Sequence, residues 1–278
     1  MIIDFHTHVF PPEVSERREE LLEREPTFRE LYARRDAHLA TADDLLRSMD
    51  EAGVDVSVAL NFAWHDADLC RRTNDYILES AAAGGGRLIP FCIFAPGEGA
   101  VGEIERCLAA GARGFGELRP ESQGWDLDNK ALSGPLGRLA SESGAVLLFH
   151  ASEPVGPAYA GKEGQSLGSL YRFIERWPAA KVVAAHWGGG LPFYKLMRRA
   201  HETLANTYFD TAATRFLYRP EVFRRAVDIV GAERVLFGSD FPLLPQSRCR
   251  HEVDEAQLSA TEKARILGES ARRLLGPP

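Results

Sequence analysis

Short β-rich apolar runs alternate with amphipathic helical stretches along almost the whole chain, and no other feature narrows the fold as far. The runs cover residues 2–6, 55–61, 88–94, 112–118, 145–150, 181–186, 206–211 and 234–240. Between them lie segments with helix punctuation. "TADDLLRSMDEAG" opens with a Thr41 cap and Asp44 three residues on, sets Leu45, Leu46 and Met49 on one face, and stops at Gly53. The last helical stretch carries its own Ser-x-x-Glu box, Ser259 to Glu262. Strand–helix alternation implies a parallel sheet. Eight units in 278 residues match a closed (β/α)8 TIM barrel in count and length. The fold expected is therefore α/β, one barrel domain over residues 1–278. A doubly wound open sheet is the alternative, but it calls for a glycine-rich turn after the first strand, where this chain has "HTHVFPPE".

Two segments exceed what such connections need. Residues 9–40, after the first strand, are charge-dense and helical in pattern; they read either as a solvated helical hairpin or as a lid or homodimer contact over the barrel mouth. Residues 152–165, after the fifth strand, are rich in Gly and Pro and read as a loop.

In such barrels the chemistry sits at the C-terminal ends of the strands. Those ends carry His6 and His8 (first), Glu117 (fourth), His150 (fifth), His186 (sixth) and Asp240 (eighth). Four of the chain's eight histidines fall at these positions. Any one of them reads as a cap or a loop hydrogen-bonder, but six metal-competent side chains on one rim point to a metal site. In "MIIDFHTHVF", residues two apart face one way, which places Asp4 on the face of His6 and His8, deeper in the barrel, as a structural or supporting group.

The segments "DFHTH", "LLFHASE", "VVAAHWGGGLPF" and "VLFGSDFP" resemble the amidohydrolase superfamily, in the branch around the aminocarboxymuconate-semialdehyde decarboxylases and many metal-dependent hydrolases. The likeness runs from the first strand to the eighth. It implies that His6, His8, His150 and Asp240 ligate a divalent metal. It also implies that His186 polarises substrate, relays a proton or holds a second ion. Glu117 stands where two-metal members carry a bridging carboxylate or carboxylated lysine; with no lysine there a lysine bridge is excluded, a glutamate bridge stays open, and because Glu117 is the only sign of a second ion, one ion is favoured. Three imidazoles with carboxylates suit Zn²⁺, and Mn²⁺ or Fe²⁺ are compatible.

The reaction expected is hydrolysis of a C–N or C–O acyl bond in a small molecule. Water activated by the metal would attack, Asp240 would move its proton, and His186 would face the developing oxyanion. The alternative is non-oxidative decarboxylation of an unsaturated or aromatic acid. Decarboxylases of the branch often carry an acidic residue three positions after the sixth-strand histidine; here it is Gly189, although the semialdehyde decarboxylase has a glycine run there too. A barrel kept only as a scaffold is a third reading, and the full ligand set argues against it. Arg119 is expected at the rim, on a substrate carboxylate or on Glu121 or Glu153. Trp187 and His65, with Trp64, read as a wall around substrate or as packing, and Lys162 as a weak anion contact. A net charge of −7 argues against nucleic acid or an anionic membrane as partner. Four scattered cysteines, no basic leader and no long apolar run point to a reduced, cytoplasmic protein.

Overall fold

The computed structural model describes residues 1–276. Its strands are β1 (Ile3–His8), β2 (Val56–Leu60), β3 (Leu88–Cys92), β4 (Gly114–Leu118), β5 (Val146–Phe149), β6 (Lys181–Ala184), β7 (Thr207–Asp210) and β8 (Val235–Leu236). They pair in parallel in sequence order. A parallel bridge between Thr7 and Phe241, with Phe5 N donating to Phe237 O at 2.7 Å, joins the eighth element back to the first. The eight parallel strands and their flanking helices form the (β/α)8 barrel that the alternation implies. Ile3, Phe5, Phe91, Leu148 and Val183 fill its interior. A second, larger core lies between sheet and helices. The two capping boxes form as read, at Thr41–Asp44 and Ser259–Glu262.

Two strands are irregular where the chemistry sits. The pairing register shifts between Asp4 and Thr7 in β1, and between Phe115 and Leu118 in β4. Such bulges break strict alternation and re-aim side chains. The first one corrects the expectation for Asp4, which does not share the face of His6 and His8. Asp4 instead accepts hydrogen bonds from Gln246 Nε2 (2.8 Å), at the start of the helix Gln246–Glu255, and from Ser239 N (3.0 Å). Fully buried, it ties the turn after β8 to β1.

The stretch after β1 forms three short helices, α1 (Pro12–Glu16), α2 (Arg18–Arg24) and α3 (Pro26–Tyr32). Pro12 and Pro26 sit at the first helical positions, where a missing N–H costs nothing. Phe28 and Tyr32 of α3 pack with Phe10, Phe62 and Trp64 beyond β1 and β2. The insertion is thus docked on the barrel, not a solvated hairpin. Residues 152–165 form no helix or strand beyond turns. Lys162 donates there to the carbonyls of Val155, Gly156 and Pro157. All four cysteines are buried free thiols. No helix among the described residues is long and apolar enough to cross a membrane.

Candidate metal centre and active site

β1 delivers His6 and His8 to the barrel rim, and the turn after β8 delivers Asp240 beside them. Asp240 N donates to His6 O at 3.0 Å, so the two segments are sewn together by backbone. His6 Nε2 and His8 Nε2 face each other at 3.1 Å, and Asp240 Oδ1 lies 3.2 Å from His8 Nε2 and 3.7 Å from His6 Nε2. Ligands about 2.1 Å from one ion, at the angles of a tetrahedron or octahedron, stand roughly 3.0–3.4 Å apart. Two sides of the triangle fall in that range and the third, at 3.7 Å, is a few tenths longer, so the donor set suits a divalent cation after a small closing of Asp240 toward His6.

The electrostatics agree. Burial alone would strip the proton from His6, yet Asp210, Asp240 and Glu117 hold its pKa up at about 10. Burial also opposes charge on Asp240, but His8, His6 and His186 pull its pKa down to about 2. Three carboxylates that favour positive charge this strongly favour a metal dication in the same place.

Glu117 organises the other side of the rim. Its Oε1 accepts from His150 Nδ1 at 2.8 Å and from His186 Nε2 at 3.1 Å, while Oε2 lies 3.8–3.9 Å from the Nε2 atoms of His8 and His6. Two donor sets with every atom within 4.8 Å of the others result, and they share His6: His6, His8 and Asp240, and His6, Glu117 and His186. His150 belongs to neither. Its Nδ1–H is used on Glu117, and its Nε2 meets the Ser152 hydroxyl at 2.8 Å. Burial lowers the pKa of His150 in spite of Glu117. Burial pushes His186 the same way, but Glu117 more than reverses it. Both ring nitrogens of His186 face acceptors, Glu117 and the Ala212 carbonyl (3.3 Å), which suits the doubly protonated ring.

Sequence similarity gives this rim a family. A family model described as amidohydrolase matches residues 3–276. The chain belongs to the amidohydrolase family. Gamma-resorcylate decarboxylase from a Polaromonas species is 20% identical over 287 residues, spanning 84% of this chain and 86% of that protein. 5-Carboxyvanillate decarboxylase from Sphingomonas paucimobilis shares the fold with a TM-score of 0.82 at 21% identity, over 99% of this chain and 98% of its own. The 5-carboxyvanillate decarboxylase of Novosphingobium aromaticivorans, solved with manganese and 4-hydroxy-3-methoxy-5-nitrobenzoic acid, gives 0.80 at 17% identity over 99% and 96%.

Around the rim of this amidohydrolase, the three residues expected to contact substrate each have protein partners. Arg119 is buried, and its ion-pair partner is Glu30 of α3 (3.4 Å) rather than Glu121 or Glu153. It also donates to the carbonyls of Gly161 (3.4 Å) and Glu163, so it clasps the insertion to the loop after β5. Trp187 is packed against Phe223 with its indole N–H on Thr214. The cause is the backbone: residues 186–190 all have positive φ, from +55° at His186 to +94° at Gly190, and this tight left-handed run swings Trp187 outward into the core. His65 lies against Glu25 of the insertion, its ring nitrogen 3.5 Å from the carboxylate. The same run explains Gly189, because a Cβ there would collide with the backbone of Ser152. Its lack of an acidic side chain is a packing requirement and carries no information about the reaction.

Two groups escaped the reading of strand ends. Asp210, last in β7, holds His6 Nδ1 at 2.9 Å. It ends a strand like the other rim residues, and applying the strand-end rule to every strand would have found it. Burial first, and then the charges of Asp240 and Glu117, raise the pKa of Tyr32 in α3. No strand rule reaches an insertion.

Proposed function

We propose that this chain is a metal-dependent decarboxylase of a small hydroxylated aromatic or unsaturated carboxylic acid. The observation that carries the reading is the His6–His8–Asp240 triangle, in a chain several of whose relatives, matched over 84% or more of its length, are named decarboxylases. The preference for hydrolysis drawn from Gly189 lapses with its packing explanation. His6, His8 and Asp240 would hold the ion, with Glu117 beside them. Manganese, present in the Novosphingobium relative, stands ahead of zinc. When bound, the ion supplies a fixed positive charge that orients an anionic substrate and stabilises the electron-rich carbon left as CO2 departs.

The chain's own groups do the rest. His186 holds a proton against Glu117, and Asp240, ionised, accepts or returns one at its carboxylate. One of them must place a proton on the carbon that loses CO2. Glu117 keeps His150 and His186 fixed while this happens. Because His6, His8, Glu117, His150 and His186 are all buried, the site excludes bulk water, which favours loss of a charged carboxylate as neutral CO2. The test is a panel of hydroxybenzoic and related acids with manganese-loaded protein in deuterated water. Release of CO2 with deuterium on the ring carbon is expected. Turnover that instead brings ¹⁸O from labelled water into a product acid, without CO2, would restore the hydrolase reading.

A further inference from the structure

Asp210 is fully buried and its two oxygens do separate jobs. Oδ1 accepts from the backbone N–H of His186 at 2.9 Å and of Ala212 at 3.1 Å; Oδ2 accepts from His6 Nδ1 at 2.9 Å. We propose that Asp210 is a positioning residue that decides which nitrogen of His6 offers its lone pair, and that the backbone after β6 and β7 locks it in that role. The proposal rests on the reading of the rim as a metal centre.

The argument follows from who can donate. A carboxylate only accepts, so a neutral His6 facing Oδ2 carries its proton on Nδ1. Its lone pair is then on Nε2, which looks at His8 Nε2 and Asp240 Oδ1. Nor can the carboxylate turn away, because two backbone N–H groups hold Oδ1.

An asparagine at 210 would keep the shape and reverse the instruction. Its amide oxygen must stay on the His186 and Ala212 donors, since turning the NH2 toward them would oppose buried donors with no acceptor. The NH2 therefore meets His6 Nδ1, which must become the acceptor. The ring proton moves to Nε2, into the middle of the donor triangle, where it blocks the ion. Alanine at 210 dictates nothing, and His6 is free to take either tautomer.

The two variants thus separate positioning from support. If Asp210 only braced the fold, Asp210→Asn would be mild and Asp210→Ala severe. If it sets the tautomer, the order inverts. The experiment measures Mn²⁺ and Zn²⁺ dissociation constants by chelator competition on the full chain, with thermal melts of the metal-free proteins. Outer partners of metal-bound histidines are typically worth 10–100-fold in affinity. Asp210→Asn is expected to weaken binding about 100-fold or more, and Asp210→Ala about 10-fold, with Asn melting closer to wild type. Asn binding as tightly as wild type, or more tightly than Ala, overturns the proposal. Should Asp210→Ala not fold, a folded Asn variant decides alone, its lost affinity supporting the proposal and its retained affinity overturning it. Ring ¹⁵N shifts of His6 in metal-free Asp210→Asn, taken above the pH at which the ring loses its second proton, give a reading independent of the ion. A neutral ring with its proton on Nε2 supports the tautomer role, and one with its proton on Nδ1 refutes it. Wild-type protein that binds no metal would defeat the metal reading itself, while those shifts still judge Asp210.

Discussion

The rim and the insertion that leans over it are held by different physics. At the rim, buried polar groups are locked to one another: Asp210 to His6 at 2.9 Å, Glu117 to His150 at 2.8 Å, Glu117 to His186 at 3.1 Å. His186 and Asp240 are even kept at φ of +55° and +61°, a left-handed geometry that costs non-glycine residues about 1–2 kcal/mol each and persists only where neighbours impose it. The insertion α1–α3 rests on an aromatic pad and is pegged by two carboxylates. Glu25 accepts from the backbone N–H groups of His65 (2.8 Å) and Asp66 (3.1 Å), and Glu30 accepts from Gly161 N (2.8 Å) and pairs with Arg119. The rim is preorganised for one geometry; the insertion is a cover with few polar ties, beside a largely buried site. Changes at the rim should therefore act on chemistry and metal, and changes at the pegs on access.

The largest effect is expected at Asp240. Asp240→Asn keeps the volume and removes the charge that favours the cation and the base that moves the proton. Turnover at saturating manganese should fall about 10²–10⁴-fold, the usual range for a lost acid–base group, with the fold intact by thermal melt. Turnover within about tenfold of wild type would move the proton work to His186. Glu117→Gln should come next. The amide oxygen can still accept from His150 or His186, but the charge that holds His186 protonated is gone. Elemental analysis should show about one metal per chain in both proteins, with affinity weakened roughly 10–100-fold in the variant. A fall from two ions to one would instead establish a second metal between His6, Glu117 and His186.

Most of the barrel and most of the rim were legible in the sequence because both depend on periodicity. Seven strands form within their expected runs and β1 runs two residues further, to His8, and six rim residues followed from one rule about strand ends. Legibility failed where alternation breaks. The β1 bulge turned Asp4 away from the histidines, and the left-handed turn at residues 186–190 sent Trp187 into the core instead of the site. It failed again where a partner is distant in sequence. Arg119 was expected on a substrate carboxylate or on Glu121 or Glu153, and its ion-pair partner is Glu30, separated from it by 89 positions. Local patterns describe which way a residue faces. They do not say what the insertion brings to meet it.

The smallest effect should come from the peg at Glu30, and its direction matters more than its size. Glu30→Ala removes the contacts to Gly161 N and Arg119 together. Glu30 is about one-third exposed (34%) and its pair with Arg119 is long at 3.4 Å, so the ion pair is worth less than about 1 kcal/mol after solvent screening. Arg119 keeps the carbonyls of Gly161 and Glu163, which prevents a bare buried charge. Loss of the ion pair costs the closed cover at most about fivefold in population relative to the open one, and loss of the Gly161 N–H bond adds a further few-fold. KM is then expected to rise by about tenfold with kcat changed less than threefold, since no group at the rim has moved. Hydrogen exchange should quicken in α3 and in residues 159–165 but not in β1 or β7. A kcat loss approaching that of Asp240→Asn, with exchange unchanged, would mean that Glu30 works on the reacting molecule and that the division between cover and rim is wrong.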